Sequence, residues 1–204
     1  MVDPYRSWQD AEVARAMGTL ALEDLGKPDW RTHPPFRHFL QAMRHVSGKS
    51  LVDMGCGVGH YSEVLARAFP KIRYTGVDFS LAMVEEARRL WPGRDFWVGD
   101  VTTFNCEPYD IVLASSLVEV MDDWLAGVEG ICKTARGQIL LHRVRIHSAP
   151  TERQDTMGYG SQLTYTWVHN ERELQDVFSA RGFDLIRFEH WQEHPQATYV
   201  FERA

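Results

Sequence analysis

The sequence has little cysteine, no long apolar run and no excess of basic residues. Its 204 residues include three cysteines, Cys56, Cys106 and Cys132, which are too few and too scattered for a disulfide framework or a zinc site. No stretch approaches the roughly 18 apolar residues that a membrane-spanning helix needs. Acidic residues outnumber basic ones by 28 to 22, so a general nucleic-acid partner is disfavoured.

The scarcity of cysteine and the lack of a long apolar run lead to expectations about where the protein is located and what it binds. The amino-terminal residues lack the charged-then-apolar pattern of a secretory signal, and unpaired cysteines suit a reducing compartment, so we expect a cytoplasmic protein without a membrane partner. His190 and His194 stand four residues apart, but no Cys or Asp nearby completes a metal site, and we expect no metal. A homodimer is an open alternative.

The middle of the chain alternates short apolar runs with helical stretches, which predicts parallel strands with helices on both faces of a sheet. The strands are expected at Ser50–Met54, Ile72–Val77, Asp95–Val98, Tyr109–Ala114 and Gln138–Val144, and the helices at His60–Phe69, Leu81–Trp91 and Asp122–Ala135. The apolar runs do not alternate with polar residues, as expected for strands that are buried on both sides.

The segments on either side of this region have different sequence patterns. Residues 1–47 are predicted to be helical, and residues 150–169 are predicted to form a long polar loop. Asn170 and Glu173 have the spacing of a capping box at the start of a helix. Two strands at the end, Phe183–His190 and Ala197–Arg203, are expected to form an antiparallel hairpin.

A glycine-rich turn follows the first predicted strand, in the run LVDMGCGVGH. Gly55, Gly57 and Gly59 allow a sharp turn and a close ligand approach, and the start of the next helix favours an anion. The G-x-G-x-G spacing matches neither the dinucleotide fingerprint nor the phosphate loop, so a nicotinamide dehydrogenase is the weakest alternative. A purely structural turn is a further alternative.

Polar residues follow the next three strands where each of them ends: Asp78, Asp100, Ser115 and Ser116. Open α/β sheets bind ligands in the crevice at the carboxyl ends of their strands. We therefore expect these side chains to meet the glycine-rich turn at one binding site, where a carboxylate such as Asp78 is suited to hold ribose hydroxyls.

Four segments in order resemble the class I S-adenosylmethionine-dependent methyltransferases: VDMGCGVGHYS, YTGVDFSLAMVEEARR, FWVGDV and YDIVLASSLVEVMDDW. The resemblance spans roughly residues 48–147. It implies an α/β fold with a Rossmann-like, mostly parallel sheet of seven strands, helices on both faces and the last strand antiparallel. A helical cap at residues 1–47 would precede the methyltransferase-like domain at residues 48–204.

The resemblance also implies S-adenosylmethionine as cofactor and a role for each matching residue. The methionine part would be held by Asp53 and by the backbone of Gly55, Cys56, Gly57 and Gly59. Asp78 would hold the ribose, and Ser115 would lie near the sulfonium. The adenine would be bound by Phe79, Asp100 and Val101. Where many relatives read Leu-Glu-His, this chain reads Val118-Glu119-Val120, so a role for that histidine cannot be carried over.

The expected function is methyl transfer to oxygen, nitrogen or carbon of a small molecule. The alternative is a regulatory cofactor-binding protein or a non-methylating member of the same fold. Transfer from a sulfonium mainly needs alignment, and a base helps only if the acceptor loses a proton. The candidate catalytic residues are Glu119, His142, Tyr159 and Tyr165, and each also has a structural interpretation.

Two further features concern the acceptor. Residues 148–169, together with residues 1–47, are expected to form a lid over the substrate. In a regular strand Arg143 and Arg145 share one face, opposite His142 and Val144. These arginines are either a clamp for an anionic substrate or a solvated strand end.

Overall fold

The computed structural model describes residues 5–157 and 163–204, and one sheet forms its centre. The strands are β1 (Ser50–Met54), β2 (Arg73–Asp78), β3 (Asp95–Val98), β4 (Tyr109–Ser115), β5 (Ala135–His147), β6 (Glu152–Met157), β7 (Leu163–Asn170), β8 (Phe183–His190) and β9 (Gln196–Arg203). Seven of them pair in the order β3-β2-β1-β4-β5-β9-β8, and among these seven only β9 runs opposite to the other six. The predicted α/β sheet is therefore confirmed.

Helices cover both faces of the sheet. They are α1 (Ala11–Gly26), α2 (Pro34–Ala42), α3 (His60–Ala68), α4 (Leu81–Leu90), α5 (Trp124–Thr134) and α6 (Glu171–Ser179). Helices α5 and α6 pack on one face, whereas α2, α3 and α4 pack on the other, and α1 lies against α4. Within the described residues, no helix has the length and apolar character that a membrane crossing requires.

The segment predicted as a long polar loop is partly a hairpin. β6 pairs antiparallel with β7 from Glu152↔Val168 to Met157↔Leu163, and the end of β7 runs parallel to the end of β5. The loop prediction was wrong there because residues 164–168, Thr-Tyr-Thr-Trp-Val, are β-branched or aromatic and have strong strand propensity. Residues 158–162 lie outside the described part of the chain.

The start of α6 differs in one detail from the predicted capping box. The Asn170 side chain accepts hydrogen bonds from the backbone N–H groups of Arg172 and Glu173, as predicted. The Glu173 carboxylate does not return a bond to Asn170. It accepts instead from the backbone N–H of Thr151 at 3.0 Å, while the N–H of Asn170 donates to the Thr151 hydroxyl at 2.9 Å. The cap thereby ties the hairpin to the helix.

Candidate functional site

A cavity of about 490 Å³ opens at the carboxyl ends of β1, β2, β3 and β4. Nine of the ten residues predicted to bind cofactor line it: Asp53, Gly55, Cys56, Gly57, Asp78, Phe79, Asp100, Val101 and Ser115. The tenth, Gly59, does not. Parallel strands bring their carboxyl ends to one edge of the sheet, so residues far apart in sequence meet here.

The glycine-rich turn is fixed to the neighbouring strand β2 by backbone hydrogen bonds. The N–H groups of Gly55 and Cys56 both donate to the carbonyl of Val77, at 2.8 and 3.0 Å. The next N–H, of Gly57, donates to the Asp78 carboxylate at 2.8 Å. The turn is therefore held open in one shape at the floor of the cavity.

Gly57 and Gly59 serve different purposes in this turn, although both have positive φ, +53° and +72°. A Cβ placed on Gly57 would meet only the Met17 methyl group at 4.0 Å, so this glycine faces open space in the cavity. A Cβ on Gly59 would collide with the ring of Phe96. Gly57 leaves room for a ligand, whereas Gly59 leaves room for core packing.

Asp53 is a fully buried carboxylate at the end of β1. The Tyr74 hydroxyl donates to its Oδ2 at 2.8 Å, and its Oδ1 has no hydrogen-bond partner. Burial raises the pKa of Asp53 to about 8. Because Asp53 lines the cavity, its unpaired oxygen is suited to accept a hydrogen bond from a ligand ammonium.

Asp78 stands on the other side of the turn, at the end of β2. Its two oxygens accept one bond each, from Gly57 N at 2.8 Å and from Ser80 N at 2.9 Å. Burial raises its pKa. The adjacent Phe79 ring meets the Tyr5 ring edge-on at 5.4 Å, so an aromatic pair borders the same part of the cavity.

Asp100 follows β3 and is exposed at the cavity rim. One of its oxygens, Oδ1, accepts from both the N–H and the hydroxyl of Thr102, at 2.8 and 2.7 Å. These local bonds fix the carboxylate at the turn.

The four candidate catalytic residues are not brought together. Glu119, His142 and Tyr165 do not line the cavity, and Tyr159 lies outside the described residues. His142 is fully buried between Thr198 Oγ1 and the carbonyl of Pro35, both at 3.0 Å, and burial lowers its pKa well below the usual value. This environment is that of a core histidine.

Glu119 and Tyr165 do not line the cavity, but each has a neighbour that does. Glu119 is buried, its Oε2 has no hydrogen-bond partner, and burial raises its pKa to about 7. Tyr165 donates its hydroxyl hydrogen to Asp122 Oδ1 at 2.6 Å, and Asp122 does line the cavity. Tyr165 therefore contacts the site through Asp122.

Several residues not assigned to the site from sequence also line it, among them Met17, His60 and Tyr61, and so does Arg143, one of the two arginines considered as an anion clamp. The signal for His60 and Tyr61 was their place directly after Gly59, at the start of α3. The expected pairing of the two arginines was wrong, because Arg143 reaches the cavity while Arg145 is exposed and does not line it.

Comparisons with known proteins show the family and the fold of the chain. A family profile described as a methyltransferase domain matches residues 30–187. A trans-aconitate 2-methyltransferase from Paracidovorax citrulli is 36% identical over 107 residues, which cover 50% of this chain and 39% of that protein. One from Methylobacterium nodulans is 39% identical over 100 residues, or 48% of this chain and 38% of its own length. The matched region thus spans about two fifths of these relatives.

Solved structures share the fold at low sequence identity. An amino pentose methyltransferase of calicheamicin biosynthesis from Micromonospora echinaspora, with S-adenosylmethionine bound, superposes with a TM-score of 0.60 at 19% identity, covering 98% of this chain and 94% of that one. The magnesium protoporphyrin IX methyltransferase from Synechocystis gives 0.59 at 20% identity, covering 81% and 75%. Since the family profile covers more than half of the chain, the chain belongs to the methyltransferase-domain family, and its resemblance to the class I S-adenosylmethionine-dependent methyltransferases is confirmed.

Proposed function

We propose that the chain transfers the methyl group of S-adenosylmethionine to a small organic molecule. The observation that carries the proposal is the convergence of nine predicted cofactor residues on one cavity at the carboxyl ends of four strands. Two features of the cavity fit this cofactor. The unpaired Oδ1 of Asp53 can accept a hydrogen bond from an amino group of the cofactor. The open side of Gly57 leaves room for the aliphatic part of the cofactor to pass close to the backbone.

The remaining cofactor residues have proposed roles along the same cavity. Asp78 would accept hydrogen bonds from the two ribose hydroxyls through the lone pairs that Gly57 and Ser80 leave free. Phe79 and Val101 would contact the adenine ring, and Asp100 would accept from its amino group. Ser115 would lie near the sulfonium, where its hydroxyl stands 3.5 Å from the hydroxyl of Tyr61.

When bound, the cofactor supplies a methyl group already activated on a sulfonium, and a lone pair of the acceptor forms the new bond to carbon as the carbon–sulfur bond breaks and its electrons stay on sulfur. The residues of the chain then act by alignment and by excluding water. Ser115, Tyr61 and Arg143 line the cavity, and in this proposal the acceptor would lie among them, beside the sulfonium. His142 is enclosed in the core and has no place in this step.

A cover over the cavity is the second part of the proposal. Tyr5 and Trp8, from the proposed cap at residues 1–47, line the cavity. The Tyr5 hydroxyl accepts from the backbone N–H of Asp122 at 2.7 Å, and the Tyr165 hydroxyl donates to the side chain of the same residue. The proposed lid, residues 148–169, and the cap would thus close over the site through Asp122.

A cytoplasmic location and a free metabolite as acceptor complete the proposal. A nucleic-acid partner is disfavoured because the net charge is −6. Self-association into a homodimer is tested by light scattering. The relatives named above are trans-aconitate methyltransferases, so trans-aconitate is the first acceptor to try.

The deciding experiment uses methyl-labelled S-adenosylmethionine with trans-aconitate and with fractions of a metabolite extract. We expect label in an acceptor and an equal amount of S-adenosylhomocysteine, with Asp78→Ala as a variant deficient in cofactor binding. Tight cofactor binding without transfer to any fraction would instead favour a regulatory cofactor-binding protein.

A further inference from the structure

Strand β5 contains a one-residue bulge at Arg143. Leu141 pairs with Tyr199 of β9, but Val144 pairs with Ala197, so three steps along β5 match two along β9. Arg143 has a φ of +60°, in the left-handed region that residues with side chains rarely adopt. Bulges beside active sites commonly redirect a side chain. This bulge explains why Arg143 and Arg145 do not share a face.

The unusual backbone is held by hydrogen bonds from two other segments. Ser116 donates its N–H to the carbonyl of His142 at 2.9 Å and its hydroxyl to the carbonyl of Arg143 at 3.5 Å. The Gln196 amide also donates to the Arg143 carbonyl, at 3.3 Å. Ser116 itself has a φ of +49°. Strained backbone persists where surrounding contacts enforce it, and it concentrates at functional sites.

The Arg143 side chain brings to the cavity a positive charge that no directly bonded carboxylate balances. It is half-buried, and its Nε is buried without a hydrogen-bond partner. In the part of the chain that the structure describes, it forms no ion pair with a carboxylate, Glu119 included. A partly desolvated cation is costly unless an anion completes its environment.

The neighbours of Arg143 in the cavity wall are neutral. Burial, followed by the charge of Arg143, lowers the pKa of His60 to about 3, so this ring is uncharged at neutral pH. Burial raises the pKa of Tyr61 to about 12, so its hydroxyl keeps its proton. Neither side chain can neutralise the guanidinium. Glu119 is near enough for the charge of Arg143 to lower its pKa, but burial is the larger effect and raises that pKa to about 7, and no ion pair joins the two side chains. A ligand anion would therefore be the direct partner of the guanidinium.

We propose that Arg143 binds an oxyanion of the methyl acceptor, a carboxylate or a phosphate, and that the bulge serves to aim its guanidinium into the cavity. This inference rests on the proposed function. A guanidinium presents its N–H groups as a planar fork that matches two oxygens of such an anion. A neutral acceptor of similar size would leave the charge unpaired, so Arg143 selects for anionic acceptors.

The test separates a metabolite extract on an anion-exchange column and offers the retained and unretained fractions to the protein with methyl-labelled S-adenosylmethionine. We expect label only in acceptors from the retained fraction. The mass of the product then distinguishes a carboxylate from a phosphate. Label found only in acceptors from the unretained fraction would overturn the inference and leave the proposed function intact, whereas no label from any fraction would overturn both.

Variants of Arg143 then test whether this residue causes the preference for anionic acceptors. Arg143→Gly suits the positive φ, so we expect an unchanged melting temperature and unchanged S-adenosylhomocysteine affinity by calorimetry. Its kcat/KM for the retained acceptor should fall roughly 10- to 100-fold, the loss expected for a charge-assisted contact. Arg143→Gln, which keeps most of the side-chain length without the charge, should show the same loss.

Arg187→Gln on the exposed edge strand β8 is the matched control and should behave as the unmodified protein. Unchanged kcat/KM in both Arg143 variants would overturn the inference.

Discussion

The carboxylate of Asp78 accepts a hydrogen bond from the backbone N–H of Gly57 at 2.8 Å, which joins the end of β2 to the glycine-rich turn 21 residues earlier. The same carboxylate is the group proposed to hold the cofactor ribose. One side chain therefore shapes the turn and offers its remaining lone pairs to the ligand. Its loss should affect binding more than folding, because the turn also has the two bonds to the Val77 carbonyl.

Asp78→Ala should weaken the binding of S-adenosylhomocysteine by at least about 100-fold. It removes two proposed ribose contacts, each of which contributes roughly 1.5–3 kcal/mol when charge-assisted. Calorimetry measures the effect, and Asp95→Ala, an exposed carboxylate at the start of β3, serves as control. Equal affinities of the two variants would contradict the assigned role of Asp78.

The two glycines should respond differently to the same substitution. Gly57→Ala places a methyl group in the open cavity and costs about 1–2 kcal/mol of stability through its positive φ, but it should strongly reduce cofactor affinity. Gly59→Ala adds a collision with Phe96 to the same backbone cost, so it should unfold at clearly lower urea concentration. Urea titration and calorimetry on both variants check this. If Gly57→Ala bound cofactor normally, the turn would be structural only.

The cofactor side of the site was predictable because its residues are local to strand ends. Asp53, Asp78 and Asp100 each follow a short apolar run, and parallel pairing of such runs fixes where their ends meet. The prediction needed only the order of the strands along the chain. The glycine-rich turn identifies the first strand, and the later strand ends follow in order.

The acceptor side was predictable only in part: the sequence offered Arg143 as half of an anion clamp, but its place in the cavity depends on pairing between distant segments. Regular alternation along β5 placed Arg143 with Arg145, and the bulge that separates them exists only through pairing with β9. His142 looked equally accessible in sequence, yet the carbonyl of Pro35, 107 residues away, encloses it. In the hairpin β6–β7, the strand β6 was missed because its polar composition resembles that of a loop, although the residues of β7 have strong strand propensity.

Glu119→Gln should change the pH dependence of stability. Burial raises the pKa of Glu119 from 4.5 to about 7, so the folded state binds this proton more tightly than the unfolded state. The stability that this group contributes is present below about pH 4.5 and is lost as the pH rises towards 7. The free energy of unfolding of the variant should therefore exceed that of the unmodified protein by up to about 3 kcal/mol at pH 8, and the two should differ little at pH 4.5.

Urea unfolding at both pH values measures this difference. Glu85→Gln on the exposed side of α4 is the control and should follow the unmodified protein at each pH. A Glu119→Gln variant that is less stable at pH 8 would show that the ionised carboxylate has a stabilising partner.

Tyr165→Phe tests the proposed closure of the cavity. The substitution removes the hydroxyl that donates to Asp122 Oδ1, while the bond from Asp122 N to the Tyr5 hydroxyl remains. Because Asp122 is exposed, we expect a loss of at most about 1 kcal/mol of stability. The rate at which S-adenosylhomocysteine leaves should rise several-fold in stopped-flow measurements, since the cover opens more readily. Tyr109→Phe removes a comparable hydroxyl, bonded to Thr75 at 3.2 Å outside the cavity, and should leave that rate unchanged. Equal release rates in the two variants would mean that the hairpin does not cover the cofactor.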